Sequence, residues 1–170
     1  FLSRSRSYCP TPLAIGQTLA LSANAARHVQ VLRLQPGMSI TVFNGQGGEY
    51  QAVIQAMSRS SVSAQLTAYS DIEREVTVPI HLALGVPANE RMDWLVEKAT
   101  ELGVASIQPL MTERGVVRLT QVRAAKKQGH WQAISHAACE QSGRNRVPII
   151  WPVQTLIHYF QAQKHQNANS

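Results

Sequence analysis

Cysteine is nearly missing from this chain: Cys9 and Cys139 are the only two among 170 residues. Thiols this far apart frame neither a disulfide scaffold nor a zinc cluster, so both are expected reduced and no metal is expected. Long apolar runs are missing too. Nothing approaches the roughly 18 uncharged apolar residues of a membrane span, and the opening Phe-Leu-Ser-Arg-Ser-Arg-Ser lacks a signal peptide's apolar core. The expectation is a cytoplasmic protein with no membrane partner. Catalytic signatures are equally thin, with no Gly-x-Ser-x-Gly elbow and no Cys/His pair that stands out as a nucleophile. Gly45-Gln46-Gly47-Gly48 runs into a strand rather than a helix, which argues against a dinucleotide cradle and for a hairpin turn. In Gly85-Val86-Pro87 the proline removes a backbone donor, which excludes a nucleotide loop there as well.

What is present is a real core and an uneven charge. Hydrophobic residues make up 44% of the chain, enough for one medium domain or two small ones. The net charge is +6. From Arg114 to Arg146 seven basic residues face a single acid, Glu140, while the rest of the chain balances at nine against nine. The whole surplus falls in one segment, either a stripe that meets a polyanion or a solvated helix face.

The pattern divides the chain at residues 1–76 and 77–170. In the first part Arg27 to Leu34 reads as a short helix or an extended segment, followed by a turn at Gln35-Pro36-Gly37. Thr41-Val42-Phe43 and Tyr50 to Ile54 flank the glycine-rich turn, and Val62 to Leu66 alternates as a half-buried strand does. Short strands with turns between them predict a compact barrel. Asp71 to Val76 is a charged connector. Beyond it come a strand over Ile80 to Leu84 and a helix capped by Asn89, with Met92, Leu95, Val96, Ala99 and Leu102 on one face and Trp94 off it. Gly103 stops that helix. A strand over Val104 to Leu110, a helix from Thr120 to about Ser142, a short strand within Pro148 to Pro152 and a helix over Leu156 to Gln161 follow, before a polar tail from Lys164. Strand, helix, strand, helix predicts a parallel α/β layer with right-handed crossovers. Its few strands, together with a start that is not methionine, suggest a fragment of a longer protein.

The most informative stretch is Cys139-Glu-Gln-Ser-Gly-Arg-Asn-Arg-Val-Pro148. It places two guanidinium groups, two amides, a hydroxyl and a carboxylate where a helix stops at Gly143. Arginine suits phosphates bidentately, and an amide can read a base edge. The plainer alternative is a glycine helix stop with arginines as partners of the helix dipole. His130, His136, Cys139 and Glu140 share the helix before it, but no second ligand cluster converges on them.

That stretch, with His28 to Arg33, Phe43 to Tyr50, Arg91 to Gly103 and Glu113-Arg114, resembles the RsmE family of ribosomal RNA uridine N3-methyltransferases, in order over nearly the whole chain. The resemblance implies an α+β protein of two domains, a PUA-like β-barrel that binds RNA and an α/β SPOUT-type domain, Rossmann-like and knotted when complete. It implies a homodimer that uses S-adenosylmethionine to methylate N3 of one uridine of small-subunit ribosomal RNA in the assembled subunit. The family's Gly-Pro-Glu-Gly-Gly and Leu-Arg-Thr-Glu-Thr-Ala elements are not found before Ser170, so the residues given are expected to be inactive alone. Carried over by position, Arg144 becomes the cation that stabilises a uracil anion and Glu140 the base. Gln141, Ser142 and Asn145 fall at the edge of the cofactor pocket, and Arg33, Arg114, Arg118 and Arg146 beside RNA. A non-catalytic RNA-binding module, using the barrel and the basic stripe, is the alternative.

Overall fold

The computed structural model describes residues 5–88, 90–112 and 120–167. They form two compact units. One takes the chain as far as Glu75 and then, out of sequence, Cys139–Arg146; the other takes Val76–Ala138 and the chain from Val147.

The first unit is a curled five-stranded sheet, a half-barrel, in the order β1-β3-β4-β5-β2. Its strands are β1 (Arg6–Tyr8), β2 (Thr18–Ala20), β3 (Ser39–Phe43), β4 (Glu49–Met57) and β5 (Val62–Ser70). The β3–β4 pair is the expected hairpin, with Ser39 opposite Val53 and Val42 opposite Tyr50. Alternation along β5 buries Val62, Ala64 and Leu66, and these meet Ile40, Val42, Ile54 and Val29 in one core. Each such Val, Leu or Ile side chain contributes about 1.5–3 kcal/mol on burial. Helix α1 (Ala23–Val31) settles the ambiguous segment: Ser22 caps it, accepting from the Ala25 amide at 3.3 Å, and Ala25, Ala26 and Val29 set the buried face. Strands β1 and β2, of three residues each, are too short for periodicity to reveal.

The second unit is a parallel sheet of β6 (His81–Gly85), β7 (Ser106–Met111) and β8 (Ile149–Ile150), with β9 (Gln154–Thr155) also pairing along β7. Helices α2 (Glu90–Glu101), α3 (Gln121–Ser142) and α4 (Leu156–Asn167) complete it, α3 contributing its residues up to Ala138. Met92, Val96, Val104, Ile107, Trp131 and Ile150 form the core. The Trp131 indole donates to Asp93 Oδ1 at 3.2 Å, and Gln132 both accepts from the Ile150 amide and donates to the Pro148 carbonyl, which ties α3 to β8. Helix α2 stops where expected, at Gly103 with φ 97°, through bonds from Gly103 to the Thr100 carbonyl and from Val104 to that of Ala99.

Two expectations need correcting. Leu102 is 79% exposed rather than on the apolar face, because α2 ends one residue earlier and Val104, past the turn, takes the buried place. The polar stretch from Lys164 is helical through Asn167, since nothing between Leu156 and Asn167 is glycine or proline. Asn89, the expected cap of α2, lies outside the described residues. No described helix is long and apolar enough to cross a membrane.

Candidate functional site

The Cys139–Arg146 run folds as part of the first unit, and its geometry follows from the glycine at its centre. Gly143, at φ 84°, ends α3 by donating to the Cys139 carbonyl at 3.1 Å. The next residues turn back beside the β3–β4 loop. Gln46 and Arg146 form an antiparallel bridge, and the Gly47 amide donates to the Asn145 carbonyl at 3.2 Å. Gly47 permits this approach: at φ 107°, a β-carbon there would lie 2.9 Å from both Arg146 and Glu73.

Among the described residues, every polar side chain of the turn except Gln141 and Ser142 has a partner. Asn145 is fully buried; its Oδ1 accepts from Arg6 at 2.7 Å and its Nδ2 donates to the Ile72 carbonyl at 2.8 Å. Arg144, 5% exposed, grips Glu75 through two nitrogens at 3.0 and 2.5 Å. Arg146 meets Glu73 at 2.5 Å. Arg6 also donates to Glu49 at 2.7 Å and to the Arg144 carbonyl at 3.1 Å, and its guanidinium lies 4.9 Å from the centre of the Phe43 ring. Arg74 joins Glu49 at 3.1 Å to the Gly143 carbonyl at 2.9 Å. Glu140 Oε1 accepts the Tyr8 amide at 2.8 Å.

These partners set the local electrostatics. Burial alone would raise Glu49, but hydrogen bonds from Arg6, Arg74 and Asn145 outweigh it and hold the carboxyl below its ordinary range. Glu140 goes the other way: burial raises it, and the Tyr8 amide and the charges of His28 and Arg6 offset that only in part. Burial also pushes the Cys139 thiol up to about 11, although Arg144 pulls against it.

Glu140, Arg144, Asn145 and Arg146 are therefore brought together in one network. Gln141 and Ser142 stand exposed on the last turn of α3, and Arg33 is exposed after α1, outside the network. Arg114 and Arg118 lie outside the described residues. Asn145 is bonded at both ends of its amide, while Gln141 and Ser142 face solvent. His130, from the possible ligand cluster, bonds Asp93 at 2.8 Å, and among the described residues no three His, Cys, Asp or Glu side chains converge.

Sequence reasoning missed Arg6, Glu49 and the connector acids. A signal for the last was there: Glu73-Arg74-Glu75 and Arg144-Asn145-Arg146 are complementary when laid antiparallel, and the observed pairs are 73 with 146 and 75 with 144. The basic surplus counted from Arg114 to Arg146 is thus neutralised at its last two members by acids counted elsewhere. The second unit holds a cavity of about 330 Å³ lined by His81, Ser106, Gln108, Trp151 and Tyr159. From β6 and β7 it takes residues of their first halves, whereas ligands of parallel α/β sheets sit outside the strand carboxyl ends.

A family model described as an RNA methyltransferase domain matches residues 74–169, and one described as an RNA methyltransferase PUA domain matches residues 21–67. The chain belongs to the RsmE family. Ribosomal RNA small subunit methyltransferase E of Bacillus subtilis is 32% identical over 145 residues, covering 85% of this chain and 57% of the relative. The protein of the same name from Synechocystis is 33% identical over 137 residues, covering 80% and 43%. The chain spans about half the length of these two relatives. The Neisseria gonorrhoeae enzyme of that name, crystallised with S-adenosyl methionine, superposes with a TM-score of 0.84 at 39% identity, over 89% of this chain and 63% of that one. The two-domain α+β fold expected from the sequence is the fold observed.

Proposed function

We propose that the protein to which this chain belongs transfers a methyl group from S-adenosylmethionine to N3 of a uridine in small-subunit ribosomal RNA. The observation that supports this reading is the likeness, at 39% identity, to a ribosomal RNA small subunit methyltransferase E crystallised with S-adenosyl methionine. The reading includes a homodimer, the assembled small subunit as substrate, and a cytoplasmic setting. S-adenosylmethionine, when bound, supplies an electrophilic methyl on a sulfonium. Uracil N3 must lose its proton to form the N–CH3 bond, and a site that stabilises the uracil anion assists that loss.

Within this reading Arg144 and Glu140 are positioning residues. A guanidinium already held bidentately by Glu75 has its charge compensated, so it is a weak stabiliser of a further anion, and Glu140 has committed an oxygen to the Tyr8 amide. Their part is to fix the helix stop and turn, and with them exposed Gln141 and Ser142. Arg146, Arg33, Arg114 and Arg118 are assigned to RNA. The test is to incubate the parent protein with tritiated S-adenosylmethionine and small subunits lacking the modification, then identify the labelled nucleoside by mass spectrometry. 3-Methyluridine is expected. Label on another nucleoside, or none, rejects the reading, and RNA binding with no transfer selects the non-catalytic module instead.

A further inference from the structure

Strand β1 is the edge of its sheet, paired in parallel with β3 so that Arg6 lies opposite Thr41 and Tyr8 opposite Phe43. The outer side of an edge strand carries backbone groups that a neighbouring strand would otherwise take. Here the end of α3 takes that place: the Tyr8 amide donates to Glu140, and Arg6 reaches the turn beyond Gly143. Side chains alternate along a strand, so Ser7, 2% exposed, points to the other face. Arg6 and Tyr8 share the face that meets the Phe43 ring.

The turn is held at four successive carbonyls. Arg74 donates to that of Gly143, Arg6 to that of Arg144, the Gly47 amide to that of Asn145 and the Cys139 thiol to that of Arg146. Among these donors Arg6 also fixes a side chain of the turn. One terminal nitrogen meets Glu49, the other joins the Arg144 carbonyl to the Asn145 side-chain oxygen, and the flat face rests on Phe43. Its Nε is buried with no hydrogen-bond partner among the described residues, so the joining falls to the two ends of the fork. A lysine has one nitrogen and no flat face, and cannot bridge Glu49 and Asn145 in that posture.

Asn145, Arg144 and Glu49 are 0%, 5% and 8% exposed, and taking charged and amide groups out of water is unfavourable. Apolar side chains would stabilise the same space at least as well. What a saturated polar network provides instead is a single geometry. Transfer of a group between two bound molecules depends on such fixed placement.

We propose, on the methyltransferase reading, that Arg6 is a positioning residue for the transfer: it fixes the peptide joining Arg144 to Asn145, so that the end of α3 with Gln141 and Ser142 meets its ligands in one geometry. The test compares Arg6→Lys and Arg6→Ala with Val62→Ala, a core substitution in the same unit, in the parent protein with S-adenosylmethionine and unmodified small subunits. Arg6→Lys should lower kcat about 10–100-fold, with KM for S-adenosylmethionine unchanged and the unfolding midpoint well above the assay temperature. Arg6→Ala should lose at least as much, and millimolar guanidinium, which can occupy the vacated place, should restore part of its kcat where methylammonium does not. If Arg6→Ala does not fold, Arg6→Lys decides. Val62→Ala should lower the midpoint and leave kcat as it was. In the chain itself, the amides of residues 140–146 should exchange hydrogen faster in Arg6→Lys than in the unsubstituted form. Full kcat in Arg6→Lys overturns the proposal, as does a kcat loss that follows the midpoint equally in Arg6→Lys and Val62→Ala, equal rescue by methylammonium, or unchanged exchange over 140–146. Failure of the methyltransferase reading looks different: the unsubstituted parent gives no transfer, while the exchange difference persists.

Discussion

Glu140 shows how burial and bonding divide a single side chain's roles. Its carboxyl is raised, so the folded state holds the proton more tightly than the unfolded chain. Its contribution to stability is therefore full below the unfolded value, about 4.3, and is lost as pH rises through the folded value. Glu140→Gln keeps an oxygen for the Tyr8 amide and removes the buried charge. We expect it to raise the unfolding midpoint at neutral pH, to leave that midpoint nearly unchanged below the carboxylate range, and to leave methyl transfer largely intact. Abolished transfer with an intact fold would instead make Glu140 the base that takes the N3 proton. Its neighbour Cys139 is fully buried, with a thiol pushed up to about 11. At neutral pH the native chain should therefore show one thiol, the half-buried Cys9, reacting with a disulfide reagent, and the second only on unfolding. Fast reaction of both would contradict the burial of Cys139.

The turn, the connector and the glycine loop act as one element assembled from three distant parts of the sequence. Arg144→Ala leaves Glu75 without its partner at a buried site, a loss of about 3–5 kcal/mol, readable by urea denaturation. Exchanging the pair, Glu75→Arg with Arg144→Glu, should recover part of it. No recovery would mean that the bidentate fit of the Arg144 guanidinium in its place, rather than opposition of charge alone, carries the stability. Gly48→Ala should also destabilise, by about 1–2 kcal/mol, since L side chains rarely adopt its φ of 65° and the end of the exposed Tyr69 ring would have to move aside. The strands of the hairpin, the stops at Gly103 and Gly143 and the order of the α/β half were legible because each rests on local chemistry or on period. The partners of the motif were not. Arg6 and Glu49 reach it through strand pairing that no periodicity encodes, and a helix end rich in polar groups looks the same whether it faces a ligand or a carboxylate of its own chain.

For the molecule as a whole, charge balance sets the pH range of the native state. Sixteen lysines and arginines with six histidines confront ten acids, so acid removes the only negative charge the chain has. Glu49, which joins Arg6 and Arg74, is one site of that loss. Its folded pKa is depressed, so the stability it confers is present above the unfolded value, about 4.3, and is lost as pH falls through the lower folded value. Once Glu49 is neutral, Arg6, 14% exposed at its side chain, is left as a buried charge without a counterion. We expect the unfolding midpoint to fall steeply on the acid side of that window. Glu49→Gln should lower it at neutral pH and flatten the acid limb. If that variant keeps the acid limb of the unsubstituted chain, the titration belongs to other carboxylates, and the Arg6–Glu49–Arg74 cluster is not what joins the fold of the first unit to its charge.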